Sequence, residues 1–495
     1  MNKIGFDINK YRQLQTAKIK ERIAQFGGKL YLEFGGKLFD DYHASRVLPG
    51  FLPDSKMQIL CELKEQAEIV IVINANDIEK NKVRGDLGIT YDLDVLRLID
   101  IFKGLGLYVG SVVLTMYSKQ AAAVAFEKKL DKVGIPVYHN YAIEGYPADV
   151  NKIVSNEGYG KNEYIKTSRS LVVVTAPGPG SGKMATCLSQ LYHDHKAGIT
   201  SGYAKFETFP VWNLGLGHPV NLAYESATAD LNDINMIDPY HLEAYGEKAV
   251  NYNRDVEIFP VLNAMLNKII GKSPYNSPTD MGVNMAGFCI IDDEVCCRAS
   301  EQEMIRRYLD AAVKVKTGEL DKCVLTKHEM ILQEANITLN QRPIIEVALK
   351  KAQETGAPAV ALELNNGKII TGKTSLLLGA SSAMILNALK ELAGIDDDID
   401  LISPEVIRPI ERLKINHLGS RNPRLHVEEV LIALSICSVT DKLAKQALDS
   451  LEGLRGTELH STVILSPLDI STFKKLGVNV TSEAVYQVKK LYHAR

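Results

Sequence analysis

The chain has 495 residues, more than a single hydrophobic core accommodates, so two or three domains are expected. Its contents of 46% hydrophobic and 24% charged residues are typical of a globular protein that buries large cores. The net charge is −3 and no long basic run occurs, which argues against an extended nucleic-acid interface.

Targeting signals and disulfide patterns are both missing from the sequence. The start, MNKIGFDINKYRQLQ, has no apolar signal segment, and no apolar run approaches the ~18 residues of a membrane span. The seven cysteines form no C-x-x-C pair and no framework typical of secreted proteins. We therefore expect a cytoplasmic protein with reduced thiols, no membrane segment and no nucleic-acid partner.

The first part of the chain alternates between strand and helix patterns after an N-terminal helix at residues 7–26. In KLYLEFGGKLF, Gly35 and Gly36 separate two apolar runs, which predicts a hairpin. Strands are then predicted at 68–75, 110–116 and 137–142, with helices at 93–105 and 120–133. This order predicts a parallel sheet with right-handed connections and ligands at the carboxyl ends of its strands.

The stretch SLVVVTAPGPGSGKMATCLSQL carries the clearest functional signal, because an apolar strand, a Pro/Gly/Ser loop and a helix follow one another. Gly178, Gly180 and Gly182 allow backbone N–H groups to turn towards an anion. The helix N-terminus adds partial positive charge, and Lys183 supplies a cation. The predicted phosphate-binding residues are Gly178, Gly180, Ser181, Gly182 and Lys183.

The loop departs from the Walker A pattern G-x-x-x-x-G-K-[ST], since Pro177 replaces a glycine and Met184 replaces a hydroxyl residue. The usual magnesium ligand is therefore missing, and Thr175, Ser181 or Thr186 are candidates to replace it. The loop resembles deviant P-loops such as that of formyltetrahydrofolate synthetase, which also carries proline in its first half. The alternative is a tight strand-to-helix connection that binds no ligand.

An acidic stretch, ESATADLNDINMIDPYH, follows the loop helix and contains Asp230, Asp233 and Asp238. Carboxylates so close in sequence repel one another unless a cation neutralises them, and oxygen ligands suit Mg²⁺. We expect the three aspartates to hold Mg²⁺ that bridges to a phosphate on the glycine loop, with Asp230 and Asp233 also catalytic. A solvated acidic loop with helix caps is the alternative.

The last third of the chain predicts a second α/β domain. Residues 360–364 and 368–372 flank an Asn-Gly turn, which is the strongest short hairpin signal. Further on, STVILSPLDISTFKKLGVNVTSE predicts a strand, a helix and a strand. We place the domains at 1–325, with the glycine loop and a helical insertion, and at 326–495.

The segment INHLGSRNPRLH in this second domain groups basic residues around a Gly/Pro turn. It predicts an anion-binding loop in which Arg421 and Arg424 contact a cofactor. An ordinary capped loop is the alternative.

Several long motifs resemble those of the bacterial domain-of-unknown-function 1846 family. They are FGGKLFDDYHASRVLPGF, VTAPGPGSGKMATCLSQLYHD, GYAKFETFPVWNL, HPVNLAYESATADLNDINMIDPYH, HLGSRNPRLH and HSTVILSPLD. The resemblance covers essentially the whole chain. It implies a cytoplasmic bacterial protein with two α/β parts, and it supplies no catalytic residues.

The expected fold is an N-terminal parallel-sheet domain, P-loop- or Rossmann-like with three layers, followed by a C-terminal α/β domain. We expect a homo-oligomeric enzyme that uses ATP, another nucleotide or phosphate in phosphoryl transfer or an ATP-linked reaction on a small phosphorylated ligand. In that enzyme Lys183 neutralises developing charge. The alternatives are a non-catalytic sensor of a phosphorylated metabolite and a metal-dependent hydrolase that uses His193, His195, His426 or His460.

Overall fold

The computed structural model describes residues 3–35, 38–39, 41–84 and 87–487. It divides into two compact units, of which the first is Ile4–Ser300 and the second begins at Glu301. The boundary predicted from the sequence, at residue 325, falls within the helix Lys322–Glu334.

The first unit is built on a parallel sheet of seven strands in the spatial order β11-β8-β1-β7-β2-β5-β6. Two small antiparallel pairs, β3 with β4 and β9 with β10, lie outside this sheet. The strands are β1 (Leu30–Phe34), β2 (Ala67–Asn74), β3 (Val83–Arg84), β4 (Ile89–Thr90), β5 (Tyr108–Thr115), β6 (Val137–His139), β7 (Leu171–Thr175), β8 (Gly202–Phe206), β9 (Asn235–Ile237), β10 (Val250–Tyr252) and β11 (Gly282–Val283).

Helices provide the crossovers that parallel strands require. Those of the first unit are α1 (Ile8–Gln25), α2 (Tyr42–Val47), α3 (Ser55–Glu62), α4 (Ala75–Glu79), α5 (Tyr91–Gly104), α6 (Ala121–Lys132), α7 (Val150–Ile153), α8 (Lys183–Lys196), α9 (Pro219–Ala227), α10 (Pro239–Tyr245), α11 (Asn253–Ile270) and α12 (Pro278–Met281). Every residue of β7 is buried. Because successive side chains point to opposite faces of a strand, both faces of the sheet are covered, and the predicted three-layer arrangement is confirmed.

A hairpin was predicted around Gly35, and the pairing of β1, the strand that precedes Gly35, shows that this prediction is wrong. β1 pairs in parallel with β7 along one edge and with β8 along the other, so neither edge is left for an antiparallel partner. Gly36 lies outside the described residues. β1 is therefore an interior strand, and the segment that forms β8, which had no predicted strand, is its neighbour.

β7 occupies the centre of the sheet and marks a change in chain direction. From β2 the chain proceeds outward through β5 to β6, returns to the centre at β7, and then continues to β8 and β11 on the opposite side. Ligands of open α/β sheets bind at such switch points, outside the carboxyl ends of the strands. The glycine loop leaves the sheet at this point.

The second unit contains a four-stranded mixed sheet in the order β13-β12-β14-β15. Its strands are β12 (Ala359–Glu363), β13 (Ile369–Lys373), β14 (Glu458–Ser461) and β15 (Asn479–Ser482). The predicted hairpin around Asn366-Gly367 is confirmed, because β12 and β13 pair in antiparallel register. The helices are α14 (Lys322–Glu334), α15 (Pro343–Thr355), α16 (Ala380–Ala393), α17 (Pro404–Arg412), α18 (Val427–Cys437), α19 (Lys442–Asp449) and α20 (Pro467–Lys475), while α13 (Asp293–Thr317) contains the division between the units.

The core of the second unit forms around two of these helices. Met384 and Ile385 of α16 and Val430 and Leu434 of α18 belong to one cluster of buried side chains.

In the part of the chain that the structure describes, every helix is too short or too polar to cross a membrane.

Candidate functional site

The glycine loop, residues 176–182, connects the end of β7 to the start of α8. Gly180 and Gly182 have left-handed backbone conformations, with φ of 73° and 90°. Gly182 is the N-cap residue of α8, and no described side chain caps this helix. The first N–H groups of α8 therefore remain available to an anion at the end of the central strand.

The three loop glycines are required for different reasons. A Cβ atom at Gly178 would lie 2.3 Å from the hydroxyl of Tyr91, so packing excludes any side chain there. A Cβ at Gly182 would lie 3.1 Å from Cγ2 of Thr115, while none of the described atoms lies within 4 Å of one at Gly180. Gly180 is therefore required only by its positive φ.

Two of the three hydroxyl groups that were candidates to replace the missing Walker hydroxyl, those of Ser181 and Thr186, are used within the protein. Ser181 Oγ donates to the carbonyl of Gly178 at 2.7 Å. Thr186 Oγ1 donates to the carbonyl of Gly182 at 2.9 Å and accepts from Asn140 Nδ2 at 2.9 Å. The Ser181 and Thr186 side chains thus stabilise the loop itself, and only the backbone of Ser181 remains a candidate ligand contact.

Lys183, the first residue of α8, points towards the carboxyl end of β1. Its Nζ lies 3.9 Å from Oε1 of Glu33, and the two side chains are only 15% and 11% exposed. This separation exceeds a hydrogen bond, and Lys183 donates none to the residues that the structure describes. Glu33 Oε2 instead accepts from the hydroxyl of Tyr203 at 2.8 Å. A mostly buried ammonium group is therefore left with unused donors beside the open helix end.

Further charges meet Lys183 and Glu33 at the same edge of the sheet. Glu33 and Lys205 are register partners on β1 and β8, so their side chains lie on one face. Lys205 Nζ lies 2.8 Å from Oε1 of Glu207 and also pairs with Asp255, in the first turn of α11. We call these five residues, Glu33, Lys183, Lys205, Glu207 and Asp255, the charged cluster.

The charged cluster changes the proton affinity of its members. Burial raises the pKa of Glu207 from 4.5 to about 7, against the lowering effect of Lys205 and with a further increase from Asp255. Burial lowers the pKa of Lys205, but the carboxylates of Asp255 and Glu207 outweigh it and leave a net increase. A carboxyl group with a pKa near neutrality can both donate and accept a proton under physiological conditions.

The structure does not bring the three predicted magnesium ligands together. Asp238 is buried and fully used, because its Oδ1 accepts from the N–H groups of Tyr240 and His241, and its Oδ2 accepts from N and Oγ1 of Thr279. Asp233 pairs with Arg254, and Asp230 is exposed. The helix-cap alternative therefore describes Asp238.

Only one group of three potential metal ligands lies close together in the described residues, and it contains none of the predicted ones. It consists of His218, Asp293 and Cys297. His218 Nε2 lies 3.1 Å from Oδ1 of Asp293, while His218 Nδ1 accepts from the N–H of Val220 at 3.3 Å. These contacts favour a proton on Nε2, which is then satisfied without a metal.

Two histidines of the hydrolase alternative, His193 and His460, have hydrogen-bond partners within the protein. His193 Nε2 lies 2.8 Å from the carbonyl of Asn162. His460 Nδ1 lies 3.0 Å from Thr481 Oγ1. His195 and His426 do not join them in a cluster of metal ligands among the described residues.

The two predicted anion-binding arginines differ in their surroundings. Arg421 is exposed. Arg424 is half-buried, donates from Nε to the carbonyl of Ser375 at 2.7 Å, and lines a cavity of the second unit. Only Arg424 therefore borders a cavity among the described residues of the second unit, and a shared role for the two arginines stays a prediction.

Glu33, Lys205, Glu207 and Asp255 were absent from the residues predicted as functional. A signal was nevertheless present for Glu33 and Lys205, because each is a charged residue inside a short, otherwise apolar strand. Such a position is costly for a charge unless it is paired or functional.

The fold and this site define a class of protein: a two-unit α/β protein with a glycine loop at the carboxyl end of its central parallel strand. The chain belongs to the DUF1846 family, since the model described as "Domain of unknown function DUF1846, N-terminal" matches residues 4–336 and its C-terminal counterpart matches residues 340–492. The resemblance recognised in the sequence motifs is therefore confirmed.

Similar proteins match the chain over nearly its full length. The UPF0371 protein SUB1165 of Streptococcus uberis is 60% identical over 492 residues, which are 99% of this chain and 100% of that protein. The UPF0371 protein SpyM50764 of Streptococcus pyogenes serotype M5 is 59% identical with the same coverage. Both relatives are bacterial proteins, and both units of the fold lie within the matched length.

Proposed function

We propose that the first unit is an enzyme that binds a small phosphorylated ligand, ATP or another nucleotide, on the glycine loop. The observation that carries the proposal is Lys183, whose ammonium group is mostly buried, donates no hydrogen bond to the described residues and adjoins the uncapped start of α8. A buried cation with unused donors is costly to the folded protein. A phosphate oxygen would accept from it and from the first N–H groups of α8.

The charged cluster supports a reaction rather than binding alone. Several charges held at low exposure contribute little net stability compared with apolar packing, and perturbed pKa values concentrate at functional sites. Glu207 combines a pKa of about 7 with a position at the end of β8, beside β1. We assign to Glu207 the role of proton donor and acceptor, and to Lys183 that of stabilising charge on the transferred phosphoryl group.

Magnesium enters this proposal as a companion of the nucleotide rather than as an ion held by Asp230, Asp233 and Asp238. Those three carboxylates have separate environments, and the hydroxyls of Ser181 and Thr186 are used by the loop. The proposal therefore assigns no catalytic role to Asp230 or Asp233. A cytoplasmic location and a homo-oligomeric state remain predictions of the sequence.

Replacing Lys183 tests the proposal, and Lys196 offers a matched control at the other end of α8. Lys183→Met keeps the length of the side chain and removes its charge. We expect ATP or inorganic phosphate to bind about 10- to 150-fold more weakly, which corresponds to one charge-assisted hydrogen bond of roughly 1.5–3 kcal/mol. Calorimetry with and without Mg²⁺ measures this change, and Lys196→Met should bind as the wild type does. Equal affinity in wild type and Lys183→Met would remove the loop from the function.

Turnover decides between the enzyme and a sensor. The sensor is the alternative that is favoured by the absence of the Walker hydroxyl, whose position Met184 occupies. In an enzyme, Lys183 meets more charge in the transition state than in the ground state, so Lys183→Met lowers kcat more than it weakens binding. A sensor has no transition state to stabilise. If wild-type protein binds ATP but releases no phosphate above the Lys183→Met background at any Mg²⁺ concentration, the sensor function replaces the enzymatic one.

A further inference from the structure

The second unit contains a cavity of about 560 Å³, and all the residues that line it belong to this unit. It is lined by the first residues of α16, by the residues that precede α18 and α20, and by the segment after β14. This volume falls within the range of about 300–1,000 Å³ typical of small-molecule sites. The cavity can therefore hold an organic ligand as well as water.

The start of α16 is the open helix end in this cavity. Its N-cap residue is Gly379, which has no side chain to accept from the first turn. By contrast, Val427 N at the start of α18 donates to Asp469 Oδ1 at 2.9 Å. At the start of α20, Asp469 N donates to Ser466 Oγ at 3.1 Å. Both of these helices are capped from within the unit, whereas α16, which has 14 residues, is not.

An independent observation at Ser381 points to a ligand at the start of α16. This residue is only 4% exposed and lines the cavity, yet its hydroxyl has no hydrogen-bond partner in the described part of the chain. The neighbouring Ser382 is satisfied, because its Oγ donates to the carbonyl of Leu425 at 2.7 Å. Ser381 Oγ is therefore free to form a hydrogen bond with a molecule that occupies the cavity.

Arg424 adds positive charge to the same space. Its Nε donates to the carbonyl of Ser375, but its two terminal nitrogens donate to none of the described residues. Two carboxylates also line the cavity, and neither accepts from Arg424: Asp469 contacts Val427 N and His426, and Glu319 accepts from Thr317 Oγ1 at 2.8 Å. The terminal nitrogens of Arg424 are therefore available to an anion.

The remaining wall is mostly apolar. Val463, Ile464, Leu465 and Ile470 line it, and Leu425 is buried beneath it. A free phosphate would leave this apolar surface without a partner, whereas a carboxylate attached to a hydrocarbon body satisfies both parts of the wall.

We propose that this cavity binds a small organic carboxylate with an apolar body. Its carboxylate accepts from the first N–H groups of α16, the hydroxyl of Ser381 and the guanidinium of Arg424, while its hydrocarbon part packs against Ile464 and Ile470. The site belongs to the second unit and does not depend on the function proposed for the glycine loop.

Titration of the full-length protein with octanoate tests the proposal. We expect one octanoate per chain by calorimetry, with acetate and 1-octanol each binding at least tenfold more weakly, because one lacks the apolar body and the other the charge. Inorganic phosphate should also bind at least tenfold more weakly. Absence of octanoate binding, or equal affinities for octanoate and 1-octanol, would overturn the proposal.

Variants locate the binding in the cavity. Ser381→Asp introduces a fixed carboxylate at the start of α16, where it suits the helix dipole, and should reduce octanoate affinity at least tenfold. Ser435→Asp adds the same charge on the exposed side of α18 and should bind octanoate as the wild type does. Ser381→Ala and Arg424→Gln, which remove one donor group each, should weaken binding severalfold even if Ser381→Asp fails to fold. Unchanged octanoate affinity in Ser381→Ala and Arg424→Gln contradicts the proposed site.

Discussion

Glu207 allows the electrostatics of the charged cluster to be tested through stability, without knowledge of a ligand. Its carboxyl group is 11% exposed and lies 2.8 Å from Lys205 Nζ. Burial raises its pKa from 4.5 in the unfolded chain to about 7 in the folded protein, so the folded state binds a proton more tightly than the unfolded state does. The stabilisation from this proton is complete below pH 4.5 and is lost as the pH rises through 7.

The magnitude follows from the two pKa values. For a single group with pKa values of 4.5 unfolded and about 7 folded, the linkage relation gives a loss of about 2–3 kcal/mol between pH 5 and pH 8. Glu207→Gln carries no titrating proton and should not show this loss. The free energy of unfolding of Glu207→Gln, relative to wild type, should therefore increase by about 2–3 kcal/mol from pH 5 to pH 8.

Urea unfolding followed by tryptophan fluorescence measures this difference, because Trp212 is the only tryptophan and lies in the first unit with Glu207. Glu65→Gln is a suitable control, since Glu65 is exposed and its replacement should leave the pH profile unchanged. A relative stability of Glu207→Gln that stays constant within about 0.5 kcal/mol from pH 5 to pH 8 would refute a raised pKa, and with it the proton-transfer role.

Two further predictions concern positions whose roles the structure separates. Gly178→Ala should lower the free energy of unfolding by about 1–3 kcal/mol through its clash with Tyr91, and by less in a Tyr91→Ala background. Gly180→Ala should lower it by about 1–2 kcal/mol in either background, because only the left-handed conformation is strained at that position. Equal costs for Gly178→Ala in both backgrounds would argue against the contact. Asp238→Ala removes the N-cap of α10 and should destabilise the first unit by about 2–3 kcal/mol, whereas Asp230→Ala, at an exposed position, should change stability by no more than about 0.5 kcal/mol. Urea unfolding checks both pairs, and the reverse ranking of the two aspartates would contradict the cap.

Features determined by a few neighbouring residues could be predicted from the sequence. The apolar run before the glycine loop identified β7, and the three glycines and Lys183 identified the loop and its helix. The Asn366-Gly367 turn identified the hairpin of β12 and β13 for the same reason. Local backbone preference and side-chain alternation fix such elements before any distant contact forms.

The acidic stretch shows where this local reasoning failed. Asp230, Asp233 and Asp238 are close in sequence, but each has a different environment in the fold: solvent, Arg254 and the start of α10. Sequence spacing fixes the distance along the chain, and the turns and caps between these residues decide where each carboxylate points. Their closeness in sequence therefore did not produce a common site.

Only the tertiary structure assembled the charged cluster. The hydroxyl of Tyr203 and the carboxylate of Glu33 are hydrogen-bonded across 170 positions of sequence, and Glu33 meets Lys205 only because β1 and β8 pair in parallel register. Strand order and register in a parallel sheet depend on how crossovers pack over the whole unit, which no local pattern encodes. The sequence by itself determined the loop that could receive a phosphate, and the packing of the sheet decided which charges surround it.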